Sequence, residues 1–326
     1  MADVARQAGV SVATVSKVVN GRYGVAQSTL DRVQQVISDL GYEASLGASS
    51  LRSHRTNVIG ILVAEFEPFS TELLKGASSA IGATGYELLA YSGGARGAEV
   101  GWERRYLSRL GGTLIDGAII VTPTVVDAAN GIPVVAIDPH TGPSGSTPTV
   151  DADNFAGAVM ATEHLIALGH RRIGHVGGRP DLESARLREA GYRSAMAAAG
   201  LPVDESLVVN GGYRAETAGQ PARAMLTGPD RPTAVFAAND LSAIRTVEVA
   251  REVGLRVPED LSVIGFDNVP ESALCDPPLT TISQPLRDIG AQALRLLVDL
   301  LNEREVPTHL RLPTSLVERG STRRLA

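Results

Sequence analysis

Five polar side chains follow directly on apolar runs: Asp138 after "PVVAI", Asn239 and Asp240 after "TAVFAA", Asp267 after "LSVIGF" and Gln284 after "TTIS". Short apolar runs of this kind, bounded by turn residues, read as buried strands. In parallel α/β sheets, ligands bind beyond the carboxyl ends of the strands. Carboxylates and amides gathered there suit a polyhydroxylated ligand, because each hydroxyl both donates and accepts. Any one of these residues alone is equally well a loop cap, and it is their convergence that points to a site.

A second set lies near the start, in "GVSVATVSKVVNG". A helix-turn-helix needs a small residue where its helices cross, a glycine at the turn and a second helix with a polar outer face. Ala5, Gly9 and the set Ser11, Thr14, Ser16, Lys17 and Asn20 meet those demands. Lys17 can reach guanine or phosphate, Thr14 and Ser16 suit phosphate, and Val12 and Ala13 can touch thymine methyls. A helical corner packed only for stability shows the same pattern, which by itself leaves both readings open.

Catalysis finds little support in the sequence. It holds no Gly-x-Ser-x-Gly elbow, P-loop or metal-spaced histidine set. In "EHLIALGHRRIGH" the histidines resemble a zinc cluster, yet His164 and His170 flank a helix end and His175 lies in a strand, so they read as structural. "GGARGAEVG" lacks dinucleotide spacing and reads as a loop before a helix. Cys275 is the only cysteine, which excludes an internal disulfide and a thiolate zinc site. No metal or cofactor is expected.

The elements that must position these residues divide the 326-residue chain in two. "DVARQAG", "VATVSKVVN" and "STLDRVQQVISDLGY" carry apolar residues at helical spacing, with Ser11 and Ser28 expected as N-caps and Gly9, Gly21 and Gly41 at turns. After "EASLGASSLRSHRTN" apolar strands alternate with amphipathic helices, the signature of a parallel sheet covered on both faces. The strands are "VIGILVA", "YELLAYS", "DGAIIVT", "PVVAID", "RIGHVGG", "LVVNG", "TAVFAAND", "LSVIGFD" and "TTISQ", and "DPHTGPSGSTPTVDADN" breaks the series. Two similar α/β lobes meeting near Val150 are expected, with further crossovers late in the chain.

The net charge of −6 conceals a split. Residues 1–56 carry Arg6, Lys17, Arg22, Arg32, Arg52 and Arg55 against Asp3, Asp31, Asp39 and Glu43, so the excess acid lies downstream. No apolar run reaches membrane-spanning length. The start, "MADVARQAGV", lacks the basic and apolar regions of a secretory signal, so a cytoplasmic protein is expected.

The line "DVARQAGVSVATVSKVVNG" followed by "VAQSTLDRVQQVISDLGYEAS" and "LRSHRTNVIGILV" resembles the LacI/GalR family of bacterial transcriptional regulators. The resemblance continues through "ATEHLIALGHRRIGHVGG", "SARLREAGYRSAM", "AVFAANDLSAI", "VPEDLSVIGFDNVP" and "PPLTTISQPLRDIG", covering essentially the whole chain. It implies an all-α helix-turn-helix head and an α/β, periplasmic-binding-protein-like body of two doubly wound parallel-sheet lobes. The expected boundaries are 1–43 for the head, 44–56 for a hinge and 57–326 for the body. Lobe 1 takes about 57–149 and 282–311, and lobe 2 about 150–281 and 312–321.

The resemblance also assigns roles. Arg188 matches an arginine that clamps effector oxygens, and Phe69, with Ser70 beside it, matches an aromatic position of the family's cleft. "EASLGASSLR" matches a hinge helix that enters the minor groove, where Leu51 matches the wedging leucine and Ser45 and Ala48 accompany it. Ala44, Ser45 and Ser49 depart from the family's usual proline, asparagine and arginine. Gly47 costs a helix roughly 1 kcal/mol relative to alanine, so the hinge is expected to order only on DNA. The family usually carries a capping threonine ahead of the position of Asp3, so here either the cap is weakened or the assigned start is late.

The resulting expectation is a homodimeric repressor that binds a pseudo-palindromic operator and is released by a small saccharide. A nucleobase corepressor is the alternative within the family. A sugar-binding transport protein would need a secretion signal and no basic head, and a sugar-modifying enzyme would turn its ligand over.

Overall fold

The computed structural model describes residues 1–19, 24–40, 55–94, 99–125, 131–141 and 147–325. Met1–Thr56 with Gly112–Leu114 cluster in one unit, and Asn57–Gly111 with Ile115–Ala326, the body, in another.

In the first unit, α1 (Ala2–Ala8) ends on Gly9, whose φ of 64° is left-handed. Only glycine takes that conformation without steric cost. α2 (Val12–Val19) is entered through Ser11, whose Oγ accepts the backbone N–H of Thr14 at 3.1 Å. α3 spans Gln27–Asp39. Its N-cap is Ala26 rather than the expected Ser28: the Ala26 carbonyl already accepts the first helical bond, from Leu30 at 3.0 Å, so Ser28 lies inside the first turn. Val4, Ala5, Ala8, Val15, Val18 and Val33 form the core of this unit. Gly21 and Gly41, and the hinge residues of 44–54, lie outside the described residues.

The body contains two six-stranded sheets. The first has the order β11-β5-β4-β3-β1-β2, built from β1 (Val58–Val63), β2 (Glu87–Ser92), β3 (Gly117–Val121), β4 (Val134–Ile137), β5 (Thr149–Ala152) and β11 (His309–Leu312). The second has the order β12-β10-β9-β8-β6-β7, built from β6 (Ile173–Gly177), β7 (Val208–Asn210), β8 (Ala234–Ala237), β9 (Ser262–Asp267), β10 (Thr280–Ser283) and β12 (Ser315–Val317). All pairings are parallel except that of β10 with β12. The expected lobe boundary at 149/150 falls inside β5, and the expected return at 282 falls inside β10. The chain therefore changes sheet just after Ala152, just after Ser283 and between Leu312 and Ser315.

The helices are α4 (Pro68–Ile81), α5 (Trp102–Leu110), α6 (Asn154–Ala167), α7 (Glu183–Ala198), α8 (Ala215–Thr227), α9 (Asp240–Glu252), α10 (Pro270–Leu274) and α11 (Leu286–Leu301). Parallel strands covered on both faces can be apolar throughout, and β1, β3, β4, β6, β8 and β9 are buried along their whole length. α4 and α11 meet at glycine on both sides. A Cβ on Gly76 would stand 1.9 Å from the Arg287 carbonyl oxygen, and one on Gly290 would stand 2.1 Å from that of Leu73. Among the described residues no helix is long and apolar enough to cross a membrane.

Candidate functional site

Two surfaces hold the chemistry, one in each unit. On α2, Val15 and Val18 face the core, which turns Ser11, Val12, Ala13 and Lys17 outward, with Thr14 and Ser16 half-buried. Val12 is 49% exposed, an apolar side chain in the row that would meet a thymine methyl. Asn20, Ser45, Ala48 and Leu51 lie outside the described residues.

In the body, the carboxyl ends of both sheets surround one cleft. Lobe 1 contributes Phe69 and Ser70 from the first turn of α4, Thr122 after β3 and Asp138 after β4. Lobe 2 contributes Ser184 and Arg188 from α7, Tyr213 after β7, Asn239 after β8 and Asp267 at the end of β9. Thr122, Asp138, Tyr213 and Asp267 all have positive φ, at 47°, 48°, 65° and 116°. Left-handed backbone at residues other than glycine costs about 1–3 kcal/mol each and collects where function requires it.

Arg188 organises the floor of the cleft. Only 3% exposed, it donates from Nε to Asn154 Oδ1 at 2.9 Å and from Nη1 to Asp267 Oδ1 at 3.3 Å and to the Ala238 carbonyl. Its guanidinium lies 3.8 Å from the Phe266 ring centroid and 5.4 Å from that of Tyr213. Burial pushes the Asp138 carboxyl up to about 6, opposed by Arg188 and the Ser184 hydroxyl. Burial likewise raises Asp267 to about 6, opposed by Arg188 and by the Gln284 amide, which donates at 2.7 Å. Two carboxylates thus share one guanidinium.

Two expected contacts prove to be supports instead. Asp240 turns away from the cleft because it opens α9: its Oδ2 accepts the Val269 N–H at 2.9 Å and its Oδ1 the Thr281 hydroxyl at 2.5 Å. Burial raises its pKa well above the usual carboxylate range, with Asp267 adding to the rise. Gln284 is one layer back, its amide spent on Asp267. Asn239 lines the cleft with both ends of its amide in use, accepting from Ser242 N at 3.0 Å and donating to the Tyr213 carbonyl at 2.9 Å. Sequence reasoning missed Thr122, Ser184 and Tyr213, and also Glu65, Glu67, Arg179 and Arg214 at the mouth. The glycine pair before Tyr213 and Arg214, directly after β7, was the one available signal.

The three histidines each have partners of their own. His164 Nε2 pairs with the Thr322 hydroxyl at 3.1 Å, and His170 contacts the hydroxyls of Thr233 and Ser262, each at 3.0 Å. His175 stacks on Tyr192 at 5.1 Å and is pushed down to about 4 by burial, which keeps it neutral.

Comparison with known proteins agrees with this geometry. Residues 1–45 match the family model described as bacterial regulatory proteins, lacI family, and residues 162–322 match a periplasmic binding protein-like domain. The chain is 34% identical over 328 residues to the HTH-type transcriptional repressor PurR of Yersinia pestis (strain Pestoides F), covering 98% of this chain and 95% of the relative. It is 33% identical over 311 residues to PurR of Photobacterium profundum, covering 93% and 92%. Among solved structures, the lac repressor dimer bound to operator and the anti-inducer ONPF aligns at 28% identity with a TM-score of 0.85, covering 98% of each chain. The regulator CelR in complex with cellobiose aligns at 33% identity with a TM-score of 0.75, also covering 98% of each chain. These relatives are regulators of transcription rather than enzymes. The chain belongs to the lacI family of bacterial regulatory proteins and is a DNA-binding transcriptional repressor with a helix-turn-helix head and a two-lobed α/β body.

Proposed function

We propose that this repressor controls genes of carbohydrate uptake or breakdown and is released from its operator by a small saccharide bound in the cleft. The observation that carries the reading is Arg188, fixed by Asn154 and Asp267 with Asp138 in the same cleft, so that a guanidinium and two carboxylates converge on one space. A sugar hydroxyl donates to a carboxylate and accepts from a guanidinium at once, and Phe69 offers a ring to the apolar face of a pyranose. The cellobiose held by CelR shows that a relative of equal identity takes a saccharide.

In this reading Ser11, Val12, Ala13, Thr14, Ser16, Lys17 and Asn20 read the major groove, and Ser45, Ala48 and Leu51 enter the minor groove. The protein acts as a homodimer on a pseudo-palindromic operator, in the cytoplasm where the DNA is. The segment 1–43 serves as the reading head, 44–56 as the hinge and 57–326 as the effector body. Linkage requires that a saccharide which weakens operator binding be itself weakened by operator to the same factor.

A nucleobase corepressor is the second reading, favoured by the identity to the repressors named PurR and by the rings of Phe69 and Tyr213 in the cleft. Operator binding to the gene's own upstream region, titrated with saccharides and nucleobases, separates the two. Release by one saccharide supports the proposal. Tighter binding with a nucleobase, and no response to any saccharide, overturns it.

A further inference from the structure

The N-terminal ends of the helices that open onto the cleft carry the chain's own acidic or amide side chains. At α4, Glu67 caps the helix and accepts the Ser70 N–H, while Ser70 Oγ accepts the Glu67 N–H at 3.0 Å. At α7, Glu183 lies in the first turn and Asp138 takes the Ser184 hydroxyl. At α9, the side chain of Asn239 takes the Ser242 N–H and Asp240 lies in the first turn. A helix N-terminus left open is a ready phosphate site; α4 and α9 are capped by their own side chains, and at α7 the carboxylates of Glu183 and Asp138 stand where an anion would sit.

The arginines are committed as well. Arg188 pairs with Asp267 at 3.3 Å, Arg214 with Glu65 across the lobes at 2.8 Å, and Arg179 with Asp181 at 2.6 Å. Glu65, Glu67, Asp138 and Asp267 line the cleft against Arg179, Arg188 and Arg214, so carboxylates outnumber guanidiniums. A ligand phosphate or carboxylate would have to displace an internal partner and then face the acid that partner had neutralised. Like charges brought together in a binding site are strongly disfavoured.

We propose that the cleft admits an uncharged, hydroxyl-rich effector and turns away its phosphorylated or carboxylated counterparts, with Glu67 and Asp138 as the residues that exclude them. The hydroxyl part rests on the saccharide reading above; the exclusion of charge stands on the electrostatics alone.

The test is calorimetric titration of the full-length protein near neutral pH with matched probes. These are glucose against glucose 6-phosphate and glucuronate, ribose against ribose 5-phosphate, cellobiose against cellobionate, and hypoxanthine against inosine 5′-monophosphate. Within whichever set binds, the anionic member is expected to bind at least about tenfold more weakly than the neutral one. Glu67→Gln, or Asp138→Asn should the first variant fold poorly, is expected to narrow that ratio. An anionic probe that binds as tightly as its neutral partner overturns the exclusion and leaves the saccharide reading standing. Hypoxanthine binding without any sugar, with the nucleotide rejected, overturns the saccharide reading and leaves the exclusion standing. A ratio unchanged in both variants removes Glu67 and Asp138 from the role.

Discussion

The two units place their working side chains in opposite environments. The buried side chains described in the head are Val4, Ala5, Ala8, Val15, Val18 and Val33, none larger than valine, and Ser11, Val12, Ala13, Thr14, Ser16 and Lys17 stand outside that core. The body packs Trp102, Tyr192, Phe236 and Phe266 and buries its candidate ligand residues, Arg188 being 3% and Asp267 5% exposed. A small core yields only a few kcal/mol of stability, so the head gains from keeping its polar chemistry in water. A larger core can hold an arginine and two carboxylates out of water and set their geometry before a ligand arrives. The candidate contacts of the head therefore lie on a surface, and those of the body in an interior already arranged.

That contrast can be broken experimentally. The sole tryptophan, Trp102, lies buried in the body, so its fluorescence reports that unit, while operator binding reports the head. The largest effect is expected from Arg188→Ala, which strands Asp267 without its partner and costs the body about 3–5 kcal/mol in denaturant unfolding followed at Trp102. The surviving protein should bind operator and ignore effector. Normal release by effector would move the ligand away from Arg188.

Next in size is Lys17→Ala, which should weaken operator binding by about 1–3 kcal/mol in fluorescence anisotropy, with Trp102 unfolding and effector affinity unchanged. Undiminished operator affinity would remove α2 from the interface.

A smaller effect follows from pH. The Asp138 carboxyl is raised to about 6 in the empty cleft, and effector hydroxyls that donate to it favour its ionised form. Effector affinity should then fall as pH drops through 6, by up to roughly tenfold between pH 7 and pH 5. A flat profile would show that ligand does not engage this carboxylate. Stability of the empty body has opposing contributions. A carboxyl raised from 3.8 to about 6 removes stability as pH rises through that window, whereas His175, lowered from 6.5 to about 4, removes it as pH falls through its own.

The smallest effect is Gly9→Ala. A side chain at φ 64° costs about 1 kcal/mol, which should weaken operator binding by a few fold and leave the unfolding of the body at Trp102 unchanged. A shift in that unfolding would show that the turn at Gly9 matters beyond the head.

How much of this could be read from residues alone follows the same physics. The three head helices are legible because Val4 and Ala8, Val15 and Val18, and Val33 recur at helical spacing. The central strands are legible because burial on both faces makes them apolar without interruption. β5, β11 and β12, reading "TVDA", "HLRL" and "SLV", are not, since they are short, carry polar residues and lie next to the lobe crossovers. α8 hides behind Gly219 and Pro221, and only the burial of Ala218, Ala222, Met225 and Leu226 shows the face that makes it a helix. In the cleft, Asp267 and Asp240 look alike in sequence, each following a buried strand. Backbone separates them: Asp267 at φ 116° turns into the cleft, and Asp240 begins a helix and caps a neighbouring loop. Tyr213 enters from a loop by a left-handed step that no periodicity signals.

The left-handed residues at the strand ends carry a consequence for how a repressor of this kind could acquire a new ligand. At Thr122, Asp138, Tyr213 and Asp267 the side chain that lines the cleft and the backbone that aims it belong to the same residue. Asn and Asp tolerate that backbone best among residues with a side chain and β-branched residues tolerate it least, and glycine relieves the strain only by removing the side chain. Phe69, Ser70 and Ser184 stand in the first turns of helices, where many residue types fit without strain. A change of effector therefore has its easier route through those helical positions, because at the strand ends side chain and backbone have to change together.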